Sequence, residues 1–266
     1  MARPASLALP LVLGAALALA GCLSKADEHR VRANAFLRGN DAASALKECD
    51  EGLALRKDDL PLLILRGKAL FELDRLDDAR AAYRHALDVG AGEPKRSLAE
   101  AHLGLAMIAS RKHDWAGARH EFGALVEGNE QDGSSQMNLA RACLELKDLK
   151  CAVEHGELAK RLRPGDEKVL FTLGTIYLAA DRTADASTTF EEICTAVPGT
   201  ASCPYGRALV AAKKGDKDAA LAALDEAVKK KLPNPDRIAE DPGFSSLKGD
   251  ARFAAIAARA AESVKK

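Results

Sequence analysis

The sequence is poor in aromatic residues, which fill 4% of its 266 positions, with a single Trp and three Met. So few aromatics fit a fold in which helices meet closely through small residues. Neither sign of charge is in excess, with 39 Lys and Arg against 39 Asp and Glu. This excludes a basic face for nucleic acid and a polybasic patch for anionic lipid. No long stretch alternates apolar and polar residues with the period of a strand. HExxH, paired CxxC and a glycine-rich phosphate loop are all missing, as is a GxSxG nucleophile elbow. His113 and His120 lie among Asp114, Arg119 and Glu121, the mixture of a solvated helix face. No metal, no cofactor and no enzymatic activity is therefore expected.

Among what is there, the first 21 residues stand apart. Arg3 is followed by the apolar run Leu7–Leu19 and then by Leu19-Ala20-Gly21-Cys22. A run this short, ending in small residues, reads as a cleaved export signal rather than a spanning helix. The four residues resemble the lipobox of bacterial lipoproteins. That implies cleavage before Cys22, lipidation of Cys22 and an outer-membrane anchor facing the periplasm, inner-membrane retention being disfavoured by Leu23. Residues 22–26 would be the lipidated cysteine and its tether. Without Arg3, the mature chain carries 38 basic against 39 acidic residues.

The body of the chain repeats itself. Glu167–Pro198 carries Leu170, Leu173, Gly174 and Tyr177, then Ala186, Phe190, Ile193 and Pro198. In phase with Ala186 stand Ala45, Ala79, Ala118, Ala152 and Ala220, and in phase with Gly174 stand Ala33, Gly67, Ala106, Ala140 and Ala208. This pattern resembles the tetratricopeptide repeat, with Leu170 in place of the family's Trp. The resemblance implies an all-α, right-handed superhelical solenoid of about six helix hairpins with a C-terminal capping helix. The repeats would span residues 27–59, 60–93, 97–129, 133–166, 167–200 and 201–231, and the cap 232–266. Gly174 and Ala186 are expected to face each other where the two helices approach. The register of the third repeat is open by two residues, because Leu103-Gly104 imitates the Leu-Gly pair. Phe244, Leu247, Phe253 and Ile256 are the apolar set of the cap, which an open array of repeats needs.

Export places the remaining cysteines in an oxidising compartment. Cys143 and Cys151 flank the turn inside the fourth repeat, and Cys194 and Cys203 flank the turn around Pro198. Each pair can form a disulfide or remain two buried thiols. Cys49 falls at a core position and is expected to stay a thiol.

By the resemblance, the first helices line a concave groove for a segment of a partner. The matching positions are Ile64, Lys68, Phe71, Leu103, Met107, Met137, Arg141, Leu144, Phe171, Thr175, Leu178, Tyr205 and Leu209. Some of these, Leu103 and Leu209 first, can instead fill seams between repeats. Arg30 and Asn34 match part of a carboxylate clamp, which Leu65 and Gly104 break. The function implied is an interaction scaffold or assembly adaptor for another envelope protein, with pilotins of secretion, pilus or motility machines as architectural analogues. The alternatives are a periplasmic binder of a small ligand or regulator of a cell-wall enzyme, and a plain spacer.

Overall fold

The computed structural model describes residues 24–232 and 235–262. Cys22 and the signal before it lie outside the described residues. The chain divides into two compact units, Met1–Arg111 and Lys112–Lys266. In the first unit are α1 (Lys25–Arg38), α2 (Ala42–Leu55), α3 (Leu60–Glu72), α4 (Leu76–Val89), a 3-10 turn at Lys95–Leu98 and α5 (Ala99–Arg111). In the second are α6 (Trp115–Gly128), α7 (Gly133–Glu145), α8 (Leu149–Leu162), α9 (Glu167–Ala179), α10 (Thr183–Ala196), α11 (Ser202–Lys214) and α12 (Lys217–Lys229). Two 3-10 segments, Pro235–Glu240 and Pro242–Leu247, and α13 (Ala251–Glu262) complete it. The fold is all-α, built from consecutive helix hairpins. First helices also touch one another, α1 with α3 and α3 with α5 in one unit, α7 with α9 and α9 with α11 in the other. Among the described residues no helix is long and apolar enough to cross a membrane.

Short polar side chains set where the helices begin. Asp41, Asp114, Asp148 and Asp216 each precede a second helix and accept a hydrogen bond from its first turn. Such a cap satisfies one of the otherwise unpaired N–H groups there. The residue before each cap turns the chain through the left-handed region. These residues are Asn40, Asp74, His113, Lys147, Asp181, Gly215 and Gly249. They recur every 34 positions except between Asp74 and His113, where the insertion around Gly90–Pro94 makes the step 39.

Aromatic wedges set the packing. In the first unit a Cβ on Gly67 or Gly104 would stand 2.6 or 2.2 Å from the Tyr83 ring. In the second, a Cβ on Gly174 or Gly206 would stand 2.5 or 2.3 Å from the Phe190 ring. Each ring is therefore clamped between the first helix of its own hairpin and that of the next. Gly174 thus makes room for the Phe190 ring. The wedge also settles the third register. Gly104 lies two residues before Ala106, as Gly206 lies two before Ala208, so Leu103-Gly104 is not the Leu-Gly pair.

The tail is more than a capping helix. Lys248-Gly249-Asp250 repeats Lys214-Gly215-Asp216 at a distance of 34, including the left-handed glycine and an Asp that accepts the Arg252 N–H at 2.8 Å. Arg252 reaches Asp218, and Arg259 reaches Asp225, each 34 residues back. The tail is thus a seventh, degenerate hairpin whose first arm is two 3-10 segments, broken by Pro235 and Pro242. Phe244, Leu247, Phe253 and Ile256 are all buried in it.

Cys143 is bonded to Cys151 and Cys194 to Cys203, with Cα separations of 5.8 and 5.2 Å. The first bond ties α7 to α8 and the second ties α10 to α11. Cys49 is a buried thiol, its pKa pushed up to about 12 by burial.

Candidate functional site: the inner face of the first helices

The residues expected in the groove divide by exposure. In the first unit Lys68, Leu103 and Met107 are exposed, Leu103 to 41% and Met107 to 43%. Phe71 is half-buried under the Arg111 guanidinium, 4.8 Å from its ring centre. Arg111 also donates to Asp74 at 2.8 Å. Ile64 is not a groove residue, since it belongs to the core with Leu63, Ala101 and Leu105. Lys68 instead borders a cavity of about 510 Å³ shared with Leu37, Asn40, Asp41, Glu72 and Leu73.

In the second unit Arg141 is exposed, its guanidinium 6.0 Å from the centre of the Trp115 ring. Leu144, Phe171, Thr175 and Leu178 are half-buried. The Thr175 hydroxyl donates to the Thr172 carbonyl, so it has no free donor for a ligand. Three residues depart from the expectation. Met137 is buried, because α7 is flanked by α6, α8 and α9. Tyr205 and Leu209 are buried because the tail lies on them. The Tyr205 hydroxyl donates to Asp241 at 2.5 Å, and the Phe244 ring stands edge-on to Tyr205 at 5.3 Å. A Cβ on Gly243 would come within 2.4 Å of the Leu209 side chain. A side chain there would have to push the Leu209 tip aside.

The tail leaves two openings. A cavity of about 510 Å³ is bordered by Phe171, Ser202, Tyr205, Leu232, Arg237, Glu240, Asp241 and Pro242. Another of about 550 Å³ lies among Phe171, Thr175, Leu178, Leu209, Lys213 and the strap Asp241-Pro242-Gly243. Phe171, Asp241 and Pro242 belong to both. Behind them runs a chain of rings, Phe190, Phe171, Tyr205, Phe244 and Phe253, with successive centres 5.3 to 6.0 Å apart. Burial and the Asp241 carboxylate push the Tyr205 phenol well above its usual range. It therefore stays protonated and acts as a donor. Asp241, Pro242 and Arg237 were not expected at the site. The repeated Lys-Gly-Asp signals a further hairpin in the sequence, but not its first arm, where these three residues lie.

A cluster with metal-ligand chemistry lies elsewhere, at His29, Glu48 and Glu51. Arg32 donates to Glu48 at 2.8 Å and holds its carboxyl below the usual range. The cation these side chains hold is Arg32, and the group reads as an ion-pair link between α1 and α2.

Two family models, each described as a tetratricopeptide repeat, match the chain. One covers residues 60–89 and the other residues 103–167 and 171–236, together more than half of the sequence. No curated protein matches it. Among solved structures it is similar to a tetratricopeptide repeat protein from Parabacteroides merdae ATCC 43184, with a TM-score of 0.73 at 14% identity over 91% of this chain and 94% of that one. It is similar to PilW, described as a widely conserved type IV pilus biogenesis factor, with a TM-score of 0.64 at 13% identity over 85% and 99%. It is also similar to YrrB, described as a TPR protein with an unusual peptide-binding site, with a TM-score of 0.58 at 21% identity over 70% and 93%. At these identities the likeness shows the fold alone.

Proposed function

Because the chain belongs to the tetratricopeptide repeat family, we propose that it is a protein–protein interaction scaffold that holds a segment of a partner on the inner faces of its first helices. The observation that carries this reading is the exposure of Leu103 and Met107, one turn apart on α5. A solvated helix face favours charged residues, and exposed apolar side chains grouped together mark interaction sites. Met suits a surface that repacks around its partner.

In the same proposal the protein is anchored in the bacterial outer membrane through lipid on Cys22 and faces the periplasm, and its partner is another envelope protein. The lipobox-like Leu19–Cys22 supports the anchor. PilW, a pilus biogenesis factor of the same fold, makes an assembly role pertinent by architecture. Replacing Leu103 and Met107 together by Asp tests the groove. Both are exposed, so the fold should persist, and a partner crosslinked in whole envelopes should be lost. Undiminished capture would move the site elsewhere. Cys22→Ser should leave an unprocessed or soluble protein, and unchanged membrane partition would end the lipoprotein reading.

A further inference from the structure

Ser24, two residues after Cys22, is already tied into the fold. It caps α1, its hydroxyl accepting the Asp27 N–H at 3.2 Å while its own N–H donates to the Asp27 carboxylate at 3.3 Å. Arg56, just past the end of α2, donates to the Ser24 hydroxyl at 3.0 Å and to Asp59 at 2.7 Å. Lys25 and Ala26 are the first turn of α1, so Leu23 alone separates Cys22 from the folded chain.

Each hairpin reverses the chain, so the start of α1, the end of α2, the start of α3 and the end of α4 share one edge of the first unit. Arg56 on Ser24 joins the first two. His85, one turn before Val89, meets Asp58 at 3.1 Å, and a Cβ on Gly90 would stand 3.4 Å from the Leu60 side chain. Leu55 and Val89 end α2 and α4 at positions 34 residues apart. They are exposed to 58% and 37%, and Leu55 is the most exposed large apolar side chain among the described residues. Charges of both signs surround them, Lys57 and Asp58 after Leu55, and Asp88, Glu93, Lys95 and Arg96 about Val89. The opposite edge is polar at Arg38, Asn40, Asp41, Asp74 and Arg75, with Leu73 exposed among them.

We propose that the edge bearing Ser24 is a membrane-contact surface. With lipid on Cys22, Leu55 and Val89 enter the headgroup layer of the bilayer and hold α2 and α4 upright on it. The occupant follows from the length of the tether. Two residue steps reach at most about 7 Å, and the headgroup layer is itself about 5–7 Å deep on each side of the hydrocarbon. An anchor that short brings this edge to the lipid surface. Apolar side chains are what such a contact buries, and the mixed charge suits headgroups that carry both signs. Because α5 starts at the same edge, Leu103 then stands nearer the bilayer than Met107, and the open face is reached from the side.

This orientation rests on the lipid anchor proposed above and goes beyond it. The test uses the full-length lipidated protein in vesicles of phosphatidylethanolamine and phosphatidylglycerol. Leu55→Cys, Val89→Cys and Ala43→Cys are made singly and labelled in the native state, where Cys49 is buried, with an environment-sensitive fluorophore. All three positions are exposed, so circular dichroism should be unchanged. Ala43 precedes Leu55 on α2 by about 18 Å along the helix axis. Nitroxide lipids labelled near the headgroup should quench the fluorophore at 55 and 89 and leave it bright at 43. Equal quenching at 43 and 55 would mean that α2 lies flat, and quenching at 43 alone would mean that the opposite edge meets the membrane. Either result overturns the orientation. No quenching at any position, on protein that floats with the vesicles, would overturn the contact and leave the anchor standing. Protein that does not float with the vesicles would end the anchor reading and the orientation with it.

Discussion

Leu103 and Met107 on α5 occupy the same repeat positions as Tyr205 and Leu209 on α11, each pair lying three residues before and one after the small residue, Ala106 or Ala208. The first pair is exposed and the second is buried. Repeat position therefore sets which way a side chain points, and the segment that covers it sets whether it is free. On α11 that segment is a seventh hairpin whose first arm, shortened to 3-10 turns by two prolines, lies across the helix. The same comparison separates two uses of an apolar residue. At Leu209 it is core, and at Met107 it is surface.

The strongest break of the comparison is to remove the cover. Phe244 is fully buried between Tyr205 and Phe253. Phe244→Ala should cost about 3–5 kcal/mol, the usual range for deleting a buried ring. Urea unfolding monitored by circular dichroism measures it, and a loss under about 1 kcal/mol would mean that the tail does not seal α11.

Next in size are the disulfides, both of which, among the described residues, lie in the second unit. Each closes a loop with a sequence separation of 8 or 9. Reduction should cost about 2.5 kcal/mol per bond by the loop-entropy relation. In a Cys22→Ser variant, a thiol reagent without reductant should find no reactive thiol in the native state and one, Cys49, in denaturant. Titration of five thiols in denaturant without reductant would contradict the two bonds.

A contrast of similar size is expected between two substitutions at equivalent positions. Leu209→Asp buries a charge and should destabilise by several kcal/mol, whereas Met107→Asp should stay within about 0.5 kcal/mol. Equal losses would erase the distinction between covered and open faces.

The smallest effect concerns acid. Lys229 and Arg259 hold the Asp225 carboxyl below its usual range, and Arg252 holds Asp250 at about 2. A carboxyl depressed in the folded state stabilises above its unfolded pKa and loses that contribution as pH falls through the folded value. Tm should be flat from neutral pH to about 5 and decline below about 4, modestly because these groups are exposed. A Tm unchanged between pH 4 and pH 2 would show that these pairs contribute nothing to holding the tail.

The fold class was legible because its signal is periodic. Small residues such as Gly174 and Ala208 recur at fixed distances, and few other architectures need that. Which partner each small residue meets was not legible, since Gly104 and Leu103-Gly104 fit two registers until Tyr83 is seen between Gly67 and Gly104. The groove was legible by position but not by exposure. Burial of Tyr205 and Leu209 depends on residues 36 and 34 positions later, Asp241 and Gly243, whose 3-10 backbone has no helical period to announce it. The Lys-Gly-Asp at 248–250 did announce the hairpin, but only its second arm.

The most direct measurement places a photo-crosslinking amino acid at Met107, Phe171 and Leu209 in turn, in living cells. The account predicts capture of a partner protein from Met107, open on α5 of the first unit, and from Phe171, half open on α9 of the second, and none from Leu209 on α11, which should crosslink only within its own chain. Capture from Leu209 as efficient as from Met107, or capture only from an outer position such as the exposed Arg84, would contradict it.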